Sequence, residues 1–217
     1  MKKRFVIVAV MIIATAFVSC KQKEAPKEEA PCEVKKVITI EHLQKAIKGE
    51  TDASVKYATI STEAAKKKMP NTANMFAAAS AAEAVHIANH QNALKQLGET
   101  YEYTAEAPVL NADMAVNLDS AVIGETYEFT EMYPIFLDSA KANQIDNAVK
   151  SFTFAMEAEK HHAELYTKVK EGLKNKGDKA VAKVWYVCPV CGDLYDSEVE
   201  ACAICGEVKA KFKVFGK

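Results

Sequence analysis

Two Glu-x-x-His quartets constrain this chain more than any other feature: Glu83-Ala84-Val85-His86 and Glu159-Lys160-His161-His162. Residues three apart lie on one face of a helix, so each quartet can direct a carboxylate and an imidazole to the same side. A single quartet of this kind is more often a solvated pair on a surface helix. Here each follows, at a nearly equal interval, the same tripeptide, Gly49-Glu50-Thr51 and Gly124-Glu125-Thr126. Phe76 and Phe152 stand seven residues ahead of Glu83 and Glu159. The echo predicts a pseudo-twofold pair of helical hairpins that contribute equivalent groups to one central site.

The surrounding sequence agrees. From Ile40 to about Gly172 it is rich in Ala, Glu, Lys and Leu, with apolar residues at three- and four-residue spacing, a pattern of amphipathic helices. Helices are predicted near 40–67, 71–97, 112–141 and 144–172. Pro70-Asn71 and Ala142-Asn143-Gln144 mark short turns within each hairpin, and Gly98 to Asn111 forms a long crossover between them. The expected fold is mainly α, a ferritin-like four-helix bundle over 37–174, with a small C-terminal β domain over 183–217.

One Glu from each of the other two helices, Glu50 and Glu125, completes a di-iron carboxylate pattern with Glu83, His86, Glu159 and His162. Bridging carboxylates and a metal pair cancel much of each other's charge, so neither is buried alone. Glu128, whose counterpart in the first half is Ala53, breaks the symmetry and offers a seventh ligand. Gly98-Glu99-Thr100-Tyr101-Glu102 nearly repeats the ligand segment but lies in the crossover and is read as a decoy. His90, one turn beyond His86, is surplus to a set that His86 completes. His161 points about 100° away from His162, and His42 has no assigned partner.

The segment Gly124-Glu125-Thr126-Tyr127-Glu128-Phe129-Thr130-Glu131-Met132-Tyr133-Pro134 closely resembles the signature of the rubrerythrins. The resemblance extends from about Thr39 to the C-terminus. It implies that Glu50, Glu83, His86, Glu125, Glu128, Glu159 and His162 bind two irons, one of which exchanges His86 for Glu128 on oxidation. It also implies that Tyr57 and Tyr133 hydrogen-bond ligating carboxylates and supply protons, an ordinary core role being the alternative.

Cys188-Pro189-Val190-Cys191-Gly192 and Cys202-Ala203-Ile204-Cys205-Gly206 form a CxxC pair suited to a tetrahedral metal. Spacing alone leaves iron, zinc and paired disulfides open. The resemblance implies a rubredoxin-like iron that passes electrons to the di-iron site, although the loop between the knuckles is shorter than in many members. Trp185, Tyr186, Tyr195, Phe212 and Phe215 are expected to form this small domain's core.

Lys2, Lys3 and Arg4, the apolar run Phe5 to Val18 and Ser19-Cys20 read as a lipoprotein-type export signal over 1–20, with Cys20 as the lipidated residue. An uncleaved anchor is the alternative. Residues 21–36 are expected to be a flexible linker, with Cys32 an inert thiol or an intermolecular one. A net charge of −1 with interspersed signs leaves no footprint for nucleic acid. Together these readings anticipate an exported, membrane-anchored peroxidase that reduces hydrogen peroxide, works as a head-to-tail homodimer and draws on an unknown electron donor. A ferritin-like ferroxidase and a non-enzymatic metal-binding lipoprotein with structural zinc are the alternatives.

Overall fold

The computed structural model describes residues 32–216, and the side chains from Lys36. The export signal at 1–20, Cys20 and residues 21–31 of the linker lie outside the described residues. Five α-helices follow: α1 (Cys32–Lys66), α2 (Pro70–Gln96), α3 (Met114–Tyr127), α4 (Tyr133–Ala142) and α5 (Asp146–Lys176). A π-helical turn, Glu128–Met132, joins α3 to α4, so the four-helix bundle of the sequence reading is present with its third helix modified. The first helix begins at Cys32, earlier than expected, and corrects the linker over 32–36. Cys32 to Lys36 contains no Gly or Pro to stop the helix propagating backwards. No helix among the described residues is long and apolar enough to cross a membrane.

Both hairpin turns close in the same way. Met69 N–H donates to Ala64 O and Ile145 N–H to Ala140 O, each at 3.0 Å, and the intervening Lys68 and Gln144 take φ of 59° and 57°. These are the six-to-one bonds of a Schellman cap with a non-glycine residue in the left-handed position. The crossover carries no regular structure between α2 and α3. It is tied to α1 by Tyr103, whose hydroxyl donates to Asp52 Oδ1 at 2.9 Å.

The bundle is layered along its length. One apolar cluster contains Tyr57, Ile60, Met75, Phe76, Leu118 and Tyr166; another contains Leu43, Ile47, Leu94, Tyr133, Phe136 and Phe152. Along each helix the predicted ligands fall between these clusters, so apolar packing on both sides isolates a polar layer.

The C-terminal segment forms a three-stranded antiparallel sheet, with β1 (Trp185–Val187) between β2 (Leu194–Tyr195) and β3 (Lys213–Phe215). Strand alternation divides its aromatics between two cores. Tyr186, Tyr195 and Phe212 pack around the cysteines, whereas Trp185 and Val187 face the bundle and join its apolar cluster. Phe215 also packs partly on that side. Trp185 is therefore not a core residue of the small segment alone.

Asp178, in the 3₁₀ turn Asp178–Ala180, caps a helix distant in sequence. Its carboxylate accepts from Asn71 N–H at 3.0 Å, Thr72 N–H at 2.8 Å and Thr72 Oγ1 at 2.6 Å. Met69, the local cap position of α2, provides no side-chain bond. Asp178→Ala is expected to lower stability by about 1–2 kcal/mol, as loss of a helix cap does. Urea unfolding should give a lower midpoint at unchanged m-value.

Candidate metal centre

Helix phase brings six of the predicted ligands together. Glu50, Glu83, His86 and Glu159 form one group whose ligand atoms all lie within 4.8 Å of one another, and Glu83, Glu125, Glu159 and His162 form a second. Glu83 and Glu159 belong to both groups, the arrangement expected of two carboxylates shared between two metals. All six residues are buried. Glu128 stands apart from both groups. It is half-buried, and its Oε1 lies 3.7 Å from where a Cβ on Gly49 would be. It lines a cavity of about 650 Å³ with Lys48, Lys56, Tyr57, Tyr103 and Glu125.

The π turn sets the phase of the third helix. Seven residues separate Glu50 from Tyr57 in the uninterrupted α1, while eight separate Glu125 from Tyr133. In an α-helix the residue seven positions on shares a face; the i to i+5 bond from Tyr133 N–H to Glu128 O absorbs the extra residue. The two tyrosines then act crosswise: Tyr57 OH donates to Glu125 Oε1, and Tyr133 OH donates to Glu50 Oε1. Burial, and then the Glu125 and Glu50 charges, hold both phenols well above the ordinary tyrosine range, so they keep their protons and donate them.

The imidazoles are oriented from the other side by the first cysteine knuckle. His86 Nε2 donates to Cys191 O at 3.0 Å and His162 Nε2 to Gly192 O at 3.2 Å. A carbonyl only accepts, so each Nε2 carries a proton, and each Nδ1, once deprotonated, can turn its lone pair to a cation held among the carboxylates. Asn89 Nδ2 donates to the adjacent Val190 O at 2.9 Å, and His161 Nδ1 pairs with Asp193 Oδ1 at 2.7 Å. Four consecutive residues of the knuckle are thus held by α2 and α5. Gly192 is required here: its φ is +82°, and a Cβ would collide with the His86 ring.

The donor set fits metal ions. His86 Nδ1 lies 2.7 Å from Glu159 Oε1, and His162 Nδ1 lies 2.7 Å from Glu159 Oε2, yet neither nitrogen is in hydrogen-bond geometry. Glu50 Oε2, both oxygens of Glu83 and of Glu159, and both Nδ1 atoms are buried without a hydrogen-bond partner. Such atoms are costly to bury and are satisfied by cations at their centre.

Burial and the neighbouring Glu159 push Glu83 up to about 8 and also raise Glu125. Burial and the Glu50 charge raise Glu128. For His86 and His162, burial is outweighed by the carboxylates, above all Glu159, which raise both. In Glu50 and Glu159 burial is likewise outweighed, by the histidine contacts, and both are lowered.

The four cysteines also converge. Cys188 Sγ lies 3.4 Å from Cys205 Sγ, and Cys191 Sγ lies 3.3 Å from Cys202 Sγ. These distances are too long for disulfides, and all four thiols are free. The two knuckles close alike, Gly192 N–H donating to Cys188 O at 3.1 Å and Gly206 N–H to Cys202 O at 2.9 Å. Both glycines have positive φ.

The chain matches the Rubrerythrin family model over residues 41–170. It belongs to the rubrerythrin family. Rubrerythrin-2 of Clostridium acetobutylicum is 36% identical over 183 residues, covering 84% of this chain and 99% of the relative. Nigerythrin of Nitratidesulfovibrio vulgaris is 33% identical over 178 residues, covering 82% and 86%. The structure of nigerythrin in its fully reduced, all-ferrous state superposes with a TM-score of 0.75 at 33% identity, over 81% of this chain and 86% of that one. As a rubrerythrin, the chain is an oxidoreductase-family protein with a di-iron site in the bundle and a rubredoxin-like iron site at the cysteines.

Glu99 and Glu102 are exposed in the crossover. His42 stacks on Phe136 with centroids 4.4 Å apart. His161 anchors the knuckle through Asp193. The reading from sequence gave no part to Asp193, or to the backbone carbonyls that orient the ligands, because no local motif marks a contact between residues so far apart. His90 is buried against Tyr133.

Without metal, this rubrerythrin is expected to lose stability as pH rises from about 5 towards 8, the range between ordinary carboxyl values and the raised Glu83. Glu83, Glu125, Glu128, His86 and His162 are all raised, so each binds more protons folded than unfolded, and that contribution disappears as they deprotonate. His90, lowered by burial, opposes them alone within the site. Glu50 and Glu159 are lowered and contribute no slope above their unfolded values. Bound metal requires deprotonated ligands and should remove the fall. Thermal midpoints at three pH values, with and without iron, check this; a metal-free midpoint that climbs with pH contradicts it.

Proposed function

We propose that this rubrerythrin is a peroxidase that reduces hydrogen peroxide to water with electrons relayed through its four-cysteine iron. The observation that carries the reading is the docking of the first knuckle on the ligand histidines. From Cys191 Sγ, a path of covalent bonds to Cys191 O and one hydrogen bond reaches His86. A storage protein would have no use for a one-electron carrier against its metal ligands. The resemblance implied a head-to-tail homodimer in which this segment approaches another subunit's bundle; in the structure of the single chain the first knuckle lies against that chain's own bundle.

Glu50, Glu83, His86, Glu125, Glu159 and His162 would hold the iron pair, which supplies two electrons and open coordination positions for the peroxide oxygens. Reduction of one peroxide to two waters consumes two electrons and two protons. The cavity beside Tyr57, Glu125 and Glu128 offers a small polar oxidant a way in from solvent. Glu128, at its wall, is the carboxylate best placed to join the ligand set when a harder, more highly charged cation demands an anionic oxygen. Tyr57 and Tyr133 hold protons at their phenol oxygens and donate them to Glu125 and Glu50. The apolar layers on both sides exclude bulk water from the ligands.

Stopped-flow mixing of the fully reduced protein is the test. Peroxide should oxidise it faster than dioxygen, and Glu50→Ala or His162→Ala should abolish turnover. Gly192→Ala, which pushes the knuckle off His86, should slow electron arrival from the cysteine iron at least tenfold while leaving the ferric-thiolate colour intact. Faster reaction with dioxygen would favour the ferroxidase reading. Zinc at the cysteines would remove the relay.

The residues ahead of the bundle support export and anchoring at Cys20, which would place the enzyme outside the cytoplasm. Mass spectrometry of the mature protein should find a lipid-modified N-terminal Cys20; an intact Met1 overturns this part.

A further inference from the structure

His90 belongs to neither ligand group, yet it is fully buried beside the site. Its Nε2 lies 2.9 Å from Tyr133 OH and its Nδ1 lies 2.7 Å from Ser151 Oγ. Ser151 lines a separate cavity of about 250 Å³ with Asn89, Gln96, Asn147 and Lys150. The four groups Ser151, His90, Tyr133 and Glu50 are therefore joined by three successive hydrogen bonds from a polar cavity to a ligand carboxylate.

The polarity of the chain follows from its inner end. An ionised Glu50 can only accept, so the Tyr133 hydrogen is committed to it. The Tyr133 oxygen must then accept from His90 Nε2–H, which leaves Nδ1 to accept from the Ser151 hydroxyl. Every hydrogen points towards the metal site, the order in which a proton entering from outside can be passed along. The other half of the bundle makes the same inner bond, Tyr57 to Glu125, but has no such continuation. By the internal repeat, Tyr166 stands where His90 does and Met75 where Ser151 does, and the Tyr166 hydroxyl has no hydrogen-bond partner among the described residues. The bundle thus packs without the wire, so packing alone does not require His90.

We propose that Ser151, His90 and Tyr133 form a proton wire that carries protons from the Asn147–Lys150 cavity to Glu50. This deepens the peroxidase reading and rests on it, since peroxide reduction is what consumes the protons. In one passage a cavity water that has taken a proton from bulk solvent passes it to Ser151 Oγ and is left neutral, and the proton already on Ser151 moves to His90 Nδ1. The Nε2 proton moves to the Tyr133 oxygen, and the Tyr133 proton moves to Glu50 Oε1. One proton is transferred and no member of the wire keeps a charge. Rotation of the two hydroxyls and return of the imidazole from the Nδ1–H to the Nε2–H tautomer restore the starting arrangement. Each peroxide needs two such protons with the two electrons that reduce it.

The test uses His90→Gln, which keeps a hydrogen-bonding side chain but has no second ring nitrogen, and Ser151→Ala, which removes a single hydroxyl at the cavity end. In the iron-loaded, fully reduced protein, both should slow oxidation by peroxide by about 10²-fold, the lower end of what a positioned proton donor contributes. Both should enlarge the solvent deuterium isotope effect and leave electron transfer from the cysteine iron unchanged. In the metal-free protein, long-range proton–nitrogen NMR should find His90 in the Nε2–H tautomer, with an Nδ1 shift that moves in Ser151→Ala. Parental rates and isotope effects in both variants, or an Nδ1–H tautomer in the parent, overturn the wire. If the parent reacts no faster with peroxide than with dioxygen, the peroxidase reading fails instead, and the metal-free spectra still decide the polarity of the chain.

Discussion

Five carboxylates gathered inside an apolar helical bundle are the constraint on which the rest of this structure depends. Glu50, Glu83, Glu125 and Glu159 are almost wholly inaccessible, and Glu128 is half-buried beside them. Without counter-charge they repel one another, and burial together with that repulsion pushes Glu83, Glu125 and Glu128 towards the protonated form. Metal cations remove the conflict, and the unsatisfied oxygens and Nδ1 atoms mark where they belong. The apolar clusters on either side have a matching role, since packing there holds the charged layer in register and keeps water from screening it.

The four-cysteine segment is part of the same solution. Its first knuckle supplies the carbonyls that fix the tautomers of His86 and His162, its Trp185 completes a bundle core, and Asp178 just ahead of it caps α2. A change at the knuckle therefore reaches the ligand histidines through hydrogen bonds, and the cysteine site lies one backbone carbonyl away from the bundle site. The near-symmetry of the two hairpins makes the departures from it informative. The π turn corrects the phase of one helix, Glu128 adds a carboxylate on one side, and the polar chain through His90 opens on the other.

Much of this was legible in the residue pattern because helices convert spacing directly into shared faces. The four-helix order, the crossover and the six convergent ligands follow from quartets and tripeptides repeated along the chain. The convergence of the four cysteines follows from CxxC spacing, whereas the structure decided that they are free thiols and not disulfides. The π turn was not legible: a continuous helix was expected through Pro134, and only the eight-residue interval from Glu125 to Tyr133, compared with seven in α1, reveals the turn's purpose once both hydroxyls are seen on carboxylates. The start of α1 and the inward turn of Trp185 were misjudged because a helix end and a strand face are chosen by what packs against them.

The sequence by itself determined the bundle, the donor atoms and the pairing of cysteines into one site, since each depends on local periodicity and ligand chemistry. Only the tertiary structure decided that the knuckle of this chain orients its own histidines, that Glu128 waits at a cavity wall, and that His90 links Ser151 to Tyr133. Those relations join residues 30 to 105 positions apart in the case of the knuckle and 61 and 43 in the case of His90. Local spacing cannot set such distances; they come from how helices and loops pack in three dimensions.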